Sequence, residues 1–170
     1  MTICKICRVE FIRQSISQPT CLDPVCKSEW KRQKAIRKGL RERKEAIKSR
    51  SKWLKEAQAA FNAYIRYRDK GQPCISCQRL HTGQIHAGHY LSVGAQPALR
   101  FNEDNCHGQC APCNTYLSGN LARYRSGLIV KIGIDRVEAL EIQQPPIKWS
   151  IEDSKAIKAK YKANLKEVIE

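Results

Sequence analysis

Nine cysteines are grouped in two blocks, and the spacing within each block is typical of metal ligands. The first block pairs a C-x2-C motif with a C-x4-C motif, and the second contains two C-x2-C motifs separated by 32 residues. Two thiolate pairs on tight turns can complete the tetrahedral shell of a zinc ion. We therefore predict two structural zinc sites, formed by Cys4, Cys7, Cys21 and Cys26 and by Cys74, Cys77, Cys110 and Cys113. The ninth cysteine, Cys106, is expected to be a small buried apolar side chain.

Histidines and asparagines surround the second block. His86, His89, Asn105 and His107 lie between its two motifs, and Asn114 directly follows the last cysteine. If both motifs bind one zinc ion, the ends of the intervening segment are held together. A histidine about 12 residues after the first motif and Asn114 can then face each other. This arrangement suits Mg²⁺, which prefers oxygen ligands and retains several waters, so the spacing predicts a second, open metal site.

The elements that position these motifs are mostly helical. Residues 27–70 contain no proline and a single glycine, and strong helix formers dominate them. From Trp53 to Arg68, apolar residues recur every three or four positions, so this half of the helix is expected to pack on the core. The other expected elements are strands at 86–92 and 98–101, a short helix that carries Cys113 and Asn114, a helix capped by Asn120, and a last helix from Ile151 to near Val168 with a Ser150/Asp153 cap. The fold class is therefore α+β and mostly helical.

Positive charge is strongly in excess, with 31 lysines and arginines against 16 acidic residues and a net charge of +15. Residues 27–52 contain 12 basic and 3 acidic side chains. Such a helix repels itself and gains from an anionic partner, although a charge run can also be a plain solvated helix face. The basic residues expected to contact phosphates are Lys31, Arg32, Lys34, Arg37, Lys38, Arg41, Arg43, Lys44, Lys48 and Arg50. No apolar run is long enough for a transmembrane helix, so no membrane partner is expected.

Several motifs resemble one known family. They are W-L-K-E-A-Q-A-A-F-N-A-Y-I-R-Y-R-D, P-C-I-S-C, A-G-H-Y, L-R-F-N-E-D-N, Q-C-A-P-C-N and S-G-N-L. Together they are similar to the NinG/Rap family of recombination endonucleases of lambdoid phages. A zinc-stapled loop with His, then Asn, then a ligand directly after C-x2-C also resembles the HNH, or ββα-metal, nuclease superfamily. The resemblance covers residues 52–170 closely and residues 1–51 more loosely.

The resemblance implies an HNH-like ββα-metal core and a DNA endonuclease that acts on branched recombination intermediates, Holliday junctions and D-loops, in the cytoplasm of a bacterial host. Carried over onto the matching positions, His89 is the general base, and Asn114 is a ligand of the catalytic Mg²⁺ or Mn²⁺. Asn105 is the middle residue, which holds the loop by hydrogen bonds. A neutral imidazole, with a pKa near 6.5, is suited to remove a proton from water at neutral pH.

One position departs from the superfamily pattern. HNH enzymes usually carry a metal-binding Asp or His directly before the base, where this chain has Gly88. His86 is the first substitute, but in a regular strand it would point away from His89, so a bulge at Ala87–Gly88 would be needed. His107 is the other candidate ligand. For either histidine the alternative is a hydrogen-bonded core residue, and His81 is expected in an exposed loop.

The expected organisation is an N-terminal zinc-binding module (1–26), a basic helical linker (27–52) and an HNH-like nuclease domain with C-terminal helices (53–170). A four-way junction is two-fold symmetric, which favours a homodimer. Two other functions stay open. One is a non-catalytic zinc protein that binds DNA as a recombination accessory, and the other is a zinc-held protein-interaction module. Neither of them needs the chemistry of His89 or Asn114.

Overall fold

The structure is a computed structural model that describes residues 1–169, and 54% of the chain is helical. Within the described range the elements are, in chain order, β1 (Thr2–Ile3), β2 (Glu10–Phe11), α1 (Pro24–Ala46), α2 (Arg50–Arg68), β3 (Ile85–His89), a 3₁₀ helix (Pro97–Phe101), β4 (Cys106–Cys110), a π-helical turn (Pro112–Tyr116), α3 (Leu121–Ile132), α4 (Ile134–Glu141) and α5 (Ile151–Ile169). The expected α+β, mostly helical class is confirmed. Across residues 1–169, no helix combines the length and the apolar character needed to span a bilayer.

The chain divides into two compact units, residues 1–48 and 49–170. The first unit consists of the β1–β2 hairpin and α1. The Asp23 carboxylate caps α1 by accepting hydrogen bonds from the Val25 N–H (2.7 Å) and the Cys26 N–H (3.1 Å). Cys4, Thr20 and Cys26 are the buried residues of this unit. The first unit therefore lacks an apolar core, and a bound metal would have to supply its folding energy.

The helix expected through most of residues 27–70 is two helices. α1 ends at Ala46, and α2 begins after Ser49, whose hydroxyl accepts a hydrogen bond from the Lys52 N–H (3.3 Å). Serine is a preferred N-cap residue, so Ser49 marks a new helix start inside the basic stretch. The apolar stripe predicted for α2 is confirmed. Its buried residues are Trp53, Ala57, Phe61 and Ile65.

The core of the second unit is formed where α2 packs on α5 and on the β3–β4 hairpin. Phe61 meets Tyr161 edge to face, with ring centroids 4.8 Å apart, and Cys106 is fully buried in the same cluster. Cys106 is therefore the small buried residue that the sequence predicts. A second cluster includes Tyr124 and Leu128 of α3 and joins α3 and α4 to Ile75, which lies between Cys74 and Cys77, and to Tyr90, which follows β3.

β3 and β4 pair antiparallel in an unbroken register, from Ile85 opposite Cys110 to His89 opposite Cys106. No residue is inserted, so the bulge considered at Ala87–Gly88 does not form. His86 and His89 consequently point to opposite faces of the hairpin. The strand expected at 98–101 is wrong, because Pro97–Phe101 is a 3₁₀ helix. Proline lacks the N–H that a strand ladder needs and fits the first turn of a helix.

Two of the predicted helix caps have different outcomes. The Ser150 hydroxyl accepts a hydrogen bond from the Asp153 N–H (3.0 Å), and the Asp153 carboxylate accepts one from the Ser150 N–H (2.9 Å), so the cap of α5 is confirmed. The side chain of Asn120 does not cap α3. It donates instead to the Cys113 sulfur (3.6 Å), which gives this residue a role at the cysteine cluster.

Candidate active site

The eight predicted zinc ligands form two clusters. In each cluster the four sulfur atoms all lie within 4.8 Å of one another. The distance between the Cys7 and Cys21 sulfurs is 3.9 Å, as is the distance between those of Cys77 and Cys110. A tetrahedron with Zn–S bonds of about 2.3 Å has S–S edges of about 3.8 Å. Each cluster can therefore hold a zinc ion.

The second cluster is stabilised by His81. Its Nε2 lies 3.3 Å from the Cys77 sulfur. Burial acts to raise the pKa of the Cys77 thiol, but hydrogen bonds from His81 and Arg79 lower this pKa to about 5. His81, expected in an exposed loop, is thus half-buried and favours the thiolate that zinc binds.

The second cluster also brings Asn114 to β3. Cys110 ends β4, and Cys113 lies on the π-helical turn, so that the next residue, Asn114, is held above the hairpin. The Asn114 Nδ2 lies 2.9 Å from the His86 Nδ1. A histidine and Asn114 do face each other, and the histidine is His86 rather than His89.

His86 and Asn114 line an open, mostly polar cavity of about 480 Å³. Asn62, Arg66 and Gln84 line its other walls. Arg66 is exposed, and its guanidinium can pair with a phosphate. The cavity therefore offers an imidazole, amide groups and one cation to an anionic ligand.

His89 lies on the opposite face of the hairpin, against α2. Its Nε2 donates a hydrogen bond to the Arg100 carbonyl oxygen (2.9 Å), and its Nδ1 lies 3.6 Å from the Cys106 sulfur. Since a carbonyl oxygen can only accept, the proton of the neutral ring is on Nε2, and Nδ1 carries the basic lone pair. Burial lowers the pKa of His89, so its imidazole is neutral at pH 7. The Nδ1 lone pair faces the sulfur of Cys106, which is fully buried, and His89 itself is half-buried.

Asn105 is fully buried and closes the loop between β3 and β4. Its Oδ1 accepts from the Leu91 N–H (2.8 Å), and its Nδ2 donates to the carbonyl oxygens of Leu91 (3.0 Å) and Leu99 (3.3 Å). These contacts hold both sides of the loop, the bracing that the family resemblance implies for this position.

His107 lies apart from the polar cavity. Its Nε2 donates to the Asp104 carbonyl oxygen (3.0 Å), and its Nδ1 accepts from the Arg68 guanidinium (2.9 Å). Both ring nitrogens are engaged, and only 3% of the residue is exposed. This geometry is that of a hydrogen-bonded core histidine, so His107 is unsuited to be a metal ligand.

The sequence did not indicate that Gln109 belongs to this site, nor why residue 88 is a glycine. Gln109 is fully buried on β4, opposite His86. A Cβ placed at Gly88 would collide with the Gln109 Oε1 and would lie 3.0 Å from the Asn114 Oδ1. The only sequence signal was position, because Gln109 directly precedes Cys110.

The basic residues expected to contact DNA are mostly exposed. Nine of the ten are exposed, and Lys48 is half-buried, with its ammonium 2.8 Å from the Glu45 carboxylate. Arg50 donates to the Trp149 carbonyl oxygen (3.1 Å). On α1, the Arg37 guanidinium lies 4.9 Å from the centre of the Trp30 ring. α1 therefore presents many unneutralised cations to solvent.

Comparison with known proteins decides the family. A family model described as the bacteriophage lambda NinG protein matches residues 1–170. The chain belongs to the NinG family. Protein ninG of Escherichia phage lambda is 50% identical to this NinG chain over 129 residues, which are 76% of the chain and 63% of that relative. Protein ninG of Salmonella phage P22 is 50% identical and that of Escherichia phage 933W is 49% identical over the same length, each covering 76% of the chain and 64% of the relative.

The chain thus spans slightly less than two thirds of the length of these relatives. No solved structure matches it. Its resemblance to a bacteriophage family agrees with the phage origin implied by the sequence motifs.

Proposed function

We propose that this NinG-family chain is a structure-specific DNA endonuclease. It would cut branched recombination intermediates, such as Holliday junctions and D-loops, in the cytoplasm of a bacterial host. The observation that carries the proposal is the polar cavity where the zinc-binding cluster holds Asn114 against His86. The order of β3, β4 and the helical turn supports the proposal of a ββα-metal core, in which His89, at the end of β3, would be the base.

The cavity contains donors suited to a divalent metal, either Mg²⁺ or Mn²⁺. Asn114 would hold the metal, and His86, hydrogen-bonded to Asn114, is the candidate for a second ligand. When bound, such a metal stabilises the negative charge that develops on the scissile phosphate. Arg66 would pair with the phosphate at the mouth of the cavity.

His89 would act as the general base. The Arg100 carbonyl oxygen fixes the proton on Nε2. Nδ1 would therefore take the proton of the attacking water, once its ring turns from the Cys106 sulfur, 3.6 Å away, toward the substrate. Burial lowers its pKa and keeps the imidazole neutral at pH 7. His86 and His89 point to opposite faces of the hairpin, but the cavity is also lined by Ala87 and by Asn62 of α2. We therefore place the reacting phosphate at the outer edge of β3, which no strand of residues 1–169 covers. General base catalysis of this kind contributes about 10²- to 10⁴-fold in rate.

α1 would hold the DNA without reading its sequence. Its exposed basic residues can neutralise phosphates and release counterions. We also propose that two copies act together, because symmetric resolution of a four-way junction needs two cuts. Light scattering with junction DNA tests this. A complex that contains one 19.4 kDa chain per junction would contradict the dimer.

Cleavage of three labelled substrates by the zinc-loaded protein tests the function. The substrates are a four-way junction, a D-loop and a linear duplex of matched sequence, each with Mg²⁺ or with EDTA. We expect Mg²⁺-dependent cutting of the two branched substrates. Equal cutting of the linear duplex would retain the nuclease chemistry and remove the branched specificity.

A second candidate is a non-catalytic zinc protein that binds DNA as a recombination accessory. It is favoured by the half-buried position of His89, whose ring packs beside Phe61 with centroids 6.0 Å apart. Tight, salt-sensitive binding to junctions without cleavage of any substrate would support this function and would leave His89 and Asn114 as structural residues.

A further inference from the structure

Gln109 has a buried oxygen without a partner. The residue is fully buried, and its Oε1 is one of two buried side-chain atoms of residues 1–169 for which no hydrogen bond is formed. Buried polar groups in folded proteins are almost always hydrogen-bonded, so such an atom calls for a specific explanation.

The orientation of the Gln109 amide is fixed by its other end. Its Nε2 donates to the Gly119 carbonyl oxygen (2.6 Å) and to the Ser76 hydroxyl (2.7 Å). A carbonyl oxygen can only accept, so the atom that faces Gly119 must be the NH₂ group. Turning the amide would place two oxygens against each other. The Oε1 of Gln109 therefore points away from Gly119 and toward β3.

Any side chain at residue 88 would block this oxygen. Both the Gln109 Oε1 and the Asn114 Oδ1 lie within 3.0 Å of the point that a Cβ of residue 88 would occupy. The Asn114 Nδ2 contacts His86, so its Oδ1 is directed to the same place. The Tyr124 hydroxyl donates to the Gly88 carbonyl oxygen (2.8 Å) and holds the backbone there. Two amide oxygens thus converge beside Gly88.

We propose that the Gln109 Oε1 and the Asn114 Oδ1 together bind the divalent cation of this site, Mg²⁺ or Mn²⁺. Uncharged oxygens are ligands that both ions accept, with waters and substrate phosphate completing the shell. A Cβ at residue 88 would block this approach, and Gln109 would supply from β4 the ligand that β3 lacks. In this arrangement Gln109 takes the place of His86 as the second ligand, and His86 orients Asn114. This inference rests on the proposed nuclease function only for the role of the metal, since binding can be measured without DNA.

Titration of the zinc-loaded protein with Mn²⁺, followed by NMR of side-chain amides, tests the proposal. Mn²⁺ broadens signals near it even when binding is weak. We expect the Gln109 and Asn114 side-chain amides and the Gly88 backbone amide to broaden first, and excess Mg²⁺ to reverse the effect. Sharp Gln109 signals at Mn²⁺ concentrations that broaden other sites would overturn the proposal and assign a water to Oε1.

Two variants sharpen the test. Gly88→Ala fills the space and should abolish the selective broadening, whereas Gly83→Ala, which has open space around its Cβ, should behave as wild type. Asn114→Asp adds a carboxylate to the half-buried ligand position and should lower the Mn²⁺ dissociation constant at least tenfold, with Gln109 still broadened. If Gly88→Ala does not fold, the Asn114→Asp variant tests the proposal alone. An Mn²⁺ affinity of Asn114→Asp equal to that of wild type would contradict it.

The outcome is separate from that of the proposed function. Selective Mn²⁺ binding at Gln109 in a protein that cuts no DNA would support the site and reject the nuclease. Mg²⁺-dependent cutting by a protein whose Gln109 amide stays sharp would do the reverse.

Discussion

The two cysteine clusters share one local geometry and have different surroundings. In both, the N–H of the residue after the C-x2-C motif donates to the carbonyl oxygen of the first cysteine, Arg8 to Cys4 (3.1 Å) and Gln78 to Cys74 (2.9 Å). Both donor residues have positive φ, +65° for Arg8 and +57° for Gln78. The difference lies outside the turn, because Cys7 is exposed while the second cluster packs against Ile85 of the hairpin.

This difference separates two uses of a metal. In the first unit the metal would replace a core, since almost nothing else there is buried. In the second unit Phe61, Tyr124 and Leu128 already form apolar clusters. There the metal would serve to place Asn114 and the Cys74–Cys77 turn beside β3. Loss of each zinc should therefore have a different effect.

The largest expected effect is that of zinc loss in the first unit. Structural zinc contributes on the order of 10–16 kcal/mol to small zinc modules. Cys26→Ser should remove one of two bound zinc ions and abolish hydrogen-exchange protection throughout residues 2–46, α1 included. Cys110→Ser should also remove one zinc ion, yet leave the amides of α2 and α5 protected. Metal analysis and hydrogen exchange by mass spectrometry measure both. Protected α1 amides in Cys26→Ser would mean that the metal is not the core of this unit.

A buried charge network distinguishes the second unit and gives the next effect. Asp69 is 5% exposed, and it accepts from the Gly108 N–H (2.7 Å), Arg68 (2.9 Å) and Lys131 (3.2 Å). Asp69→Asn removes the buried charge shared by Arg68 and Lys131 and leaves Arg68 with Glu103 at 3.6 Å, so it should destabilise the unit by about 3–5 kcal/mol in urea unfolding. The exposed Asp135→Asn is the control, and equal stability of the two variants would contradict the network.

The same carboxylate makes the second unit sensitive to acid. Burial acts to raise the pKa of Asp69, but the Arg68 guanidinium and the Gly108 N–H hold this pKa well below its usual range. Since the folded pKa is the lower one, the stabilisation is complete above about pH 5 and is lost as the pH falls toward the folded pKa. In urea unfolding between pH 7 and pH 3, the difference between wild type and Asp69→Asn should therefore be constant above about pH 5 and begin to narrow below it. A difference that stays constant down to pH 3 would be evidence against this linkage.

Alanine substitutions at two helical glycines, one in each unit, should give smaller stability changes of opposite sign. A Cβ at Gly127 of α3 would collide with the carbonyl oxygen of Ile75, which lies in the Cys74–Cys77 turn. A Cβ at Gly39 of α1 would meet nothing within 4 Å. Gly127→Ala should cost about 1–3 kcal/mol or more through overpacking. Gly39→Ala should stabilise α1 by about 0.5–1 kcal/mol through helix propensity. Urea unfolding measures the stability of Gly127→Ala, and hydrogen exchange measures the protection of α1 in Gly39→Ala. Stability changes of the same sign in the two variants would contradict the assignment of one crowded and one open glycine.

The smallest effect concerns how α1 holds DNA. If about eight phosphates are neutralised, the logarithm of the binding constant falls with log salt at a slope near −7. Arg37→Gln and Arg41→Gln should each reduce this slope by about 0.9 without changing junction preference. Arg125→Gln is the control, because Arg125 already pairs with Glu141 at 2.8 Å. Salt titrations by fluorescence anisotropy measure the slopes, and an unchanged slope in both α1 variants would remove α1 from the interface.

Cysteine spacing made the two metal clusters predictable, because ligand spacing and knuckle geometry are local. The buried stripe of α2 was predictable for the same reason, since helix periodicity fixes which residues share a face. The prediction that Asn114 faces a histidine was possible because one zinc ion bound by both C-x2-C motifs holds the ends of the intervening segment together. Which histidine it is depends on the β3–β4 register, and spacing along the chain does not determine that register.

Gln109 and Asp69 could not be predicted, because their roles rest on contacts distant in sequence. Gln109 acquires its orientation from Ser76 and Gly119, and its open space from Gly88. Asp69 follows α2 and contacts β4, 39 residues later. No periodicity or motif marks such residues, so only the assembled fold reveals them.

The most direct test of the account is a comparison of cleavage and binding for one variant, His89→Gln. Glutamine retains an N–H donor for the Arg100 carbonyl oxygen and lacks the basic lone pair. With Mg²⁺ and a four-way junction, the account predicts a single-turnover cleavage rate 10²- to 10⁴-fold below wild type and an unchanged dissociation constant for the junction. Cleavage at the wild-type rate by His89→Gln would contradict the assignment of His89 as the base.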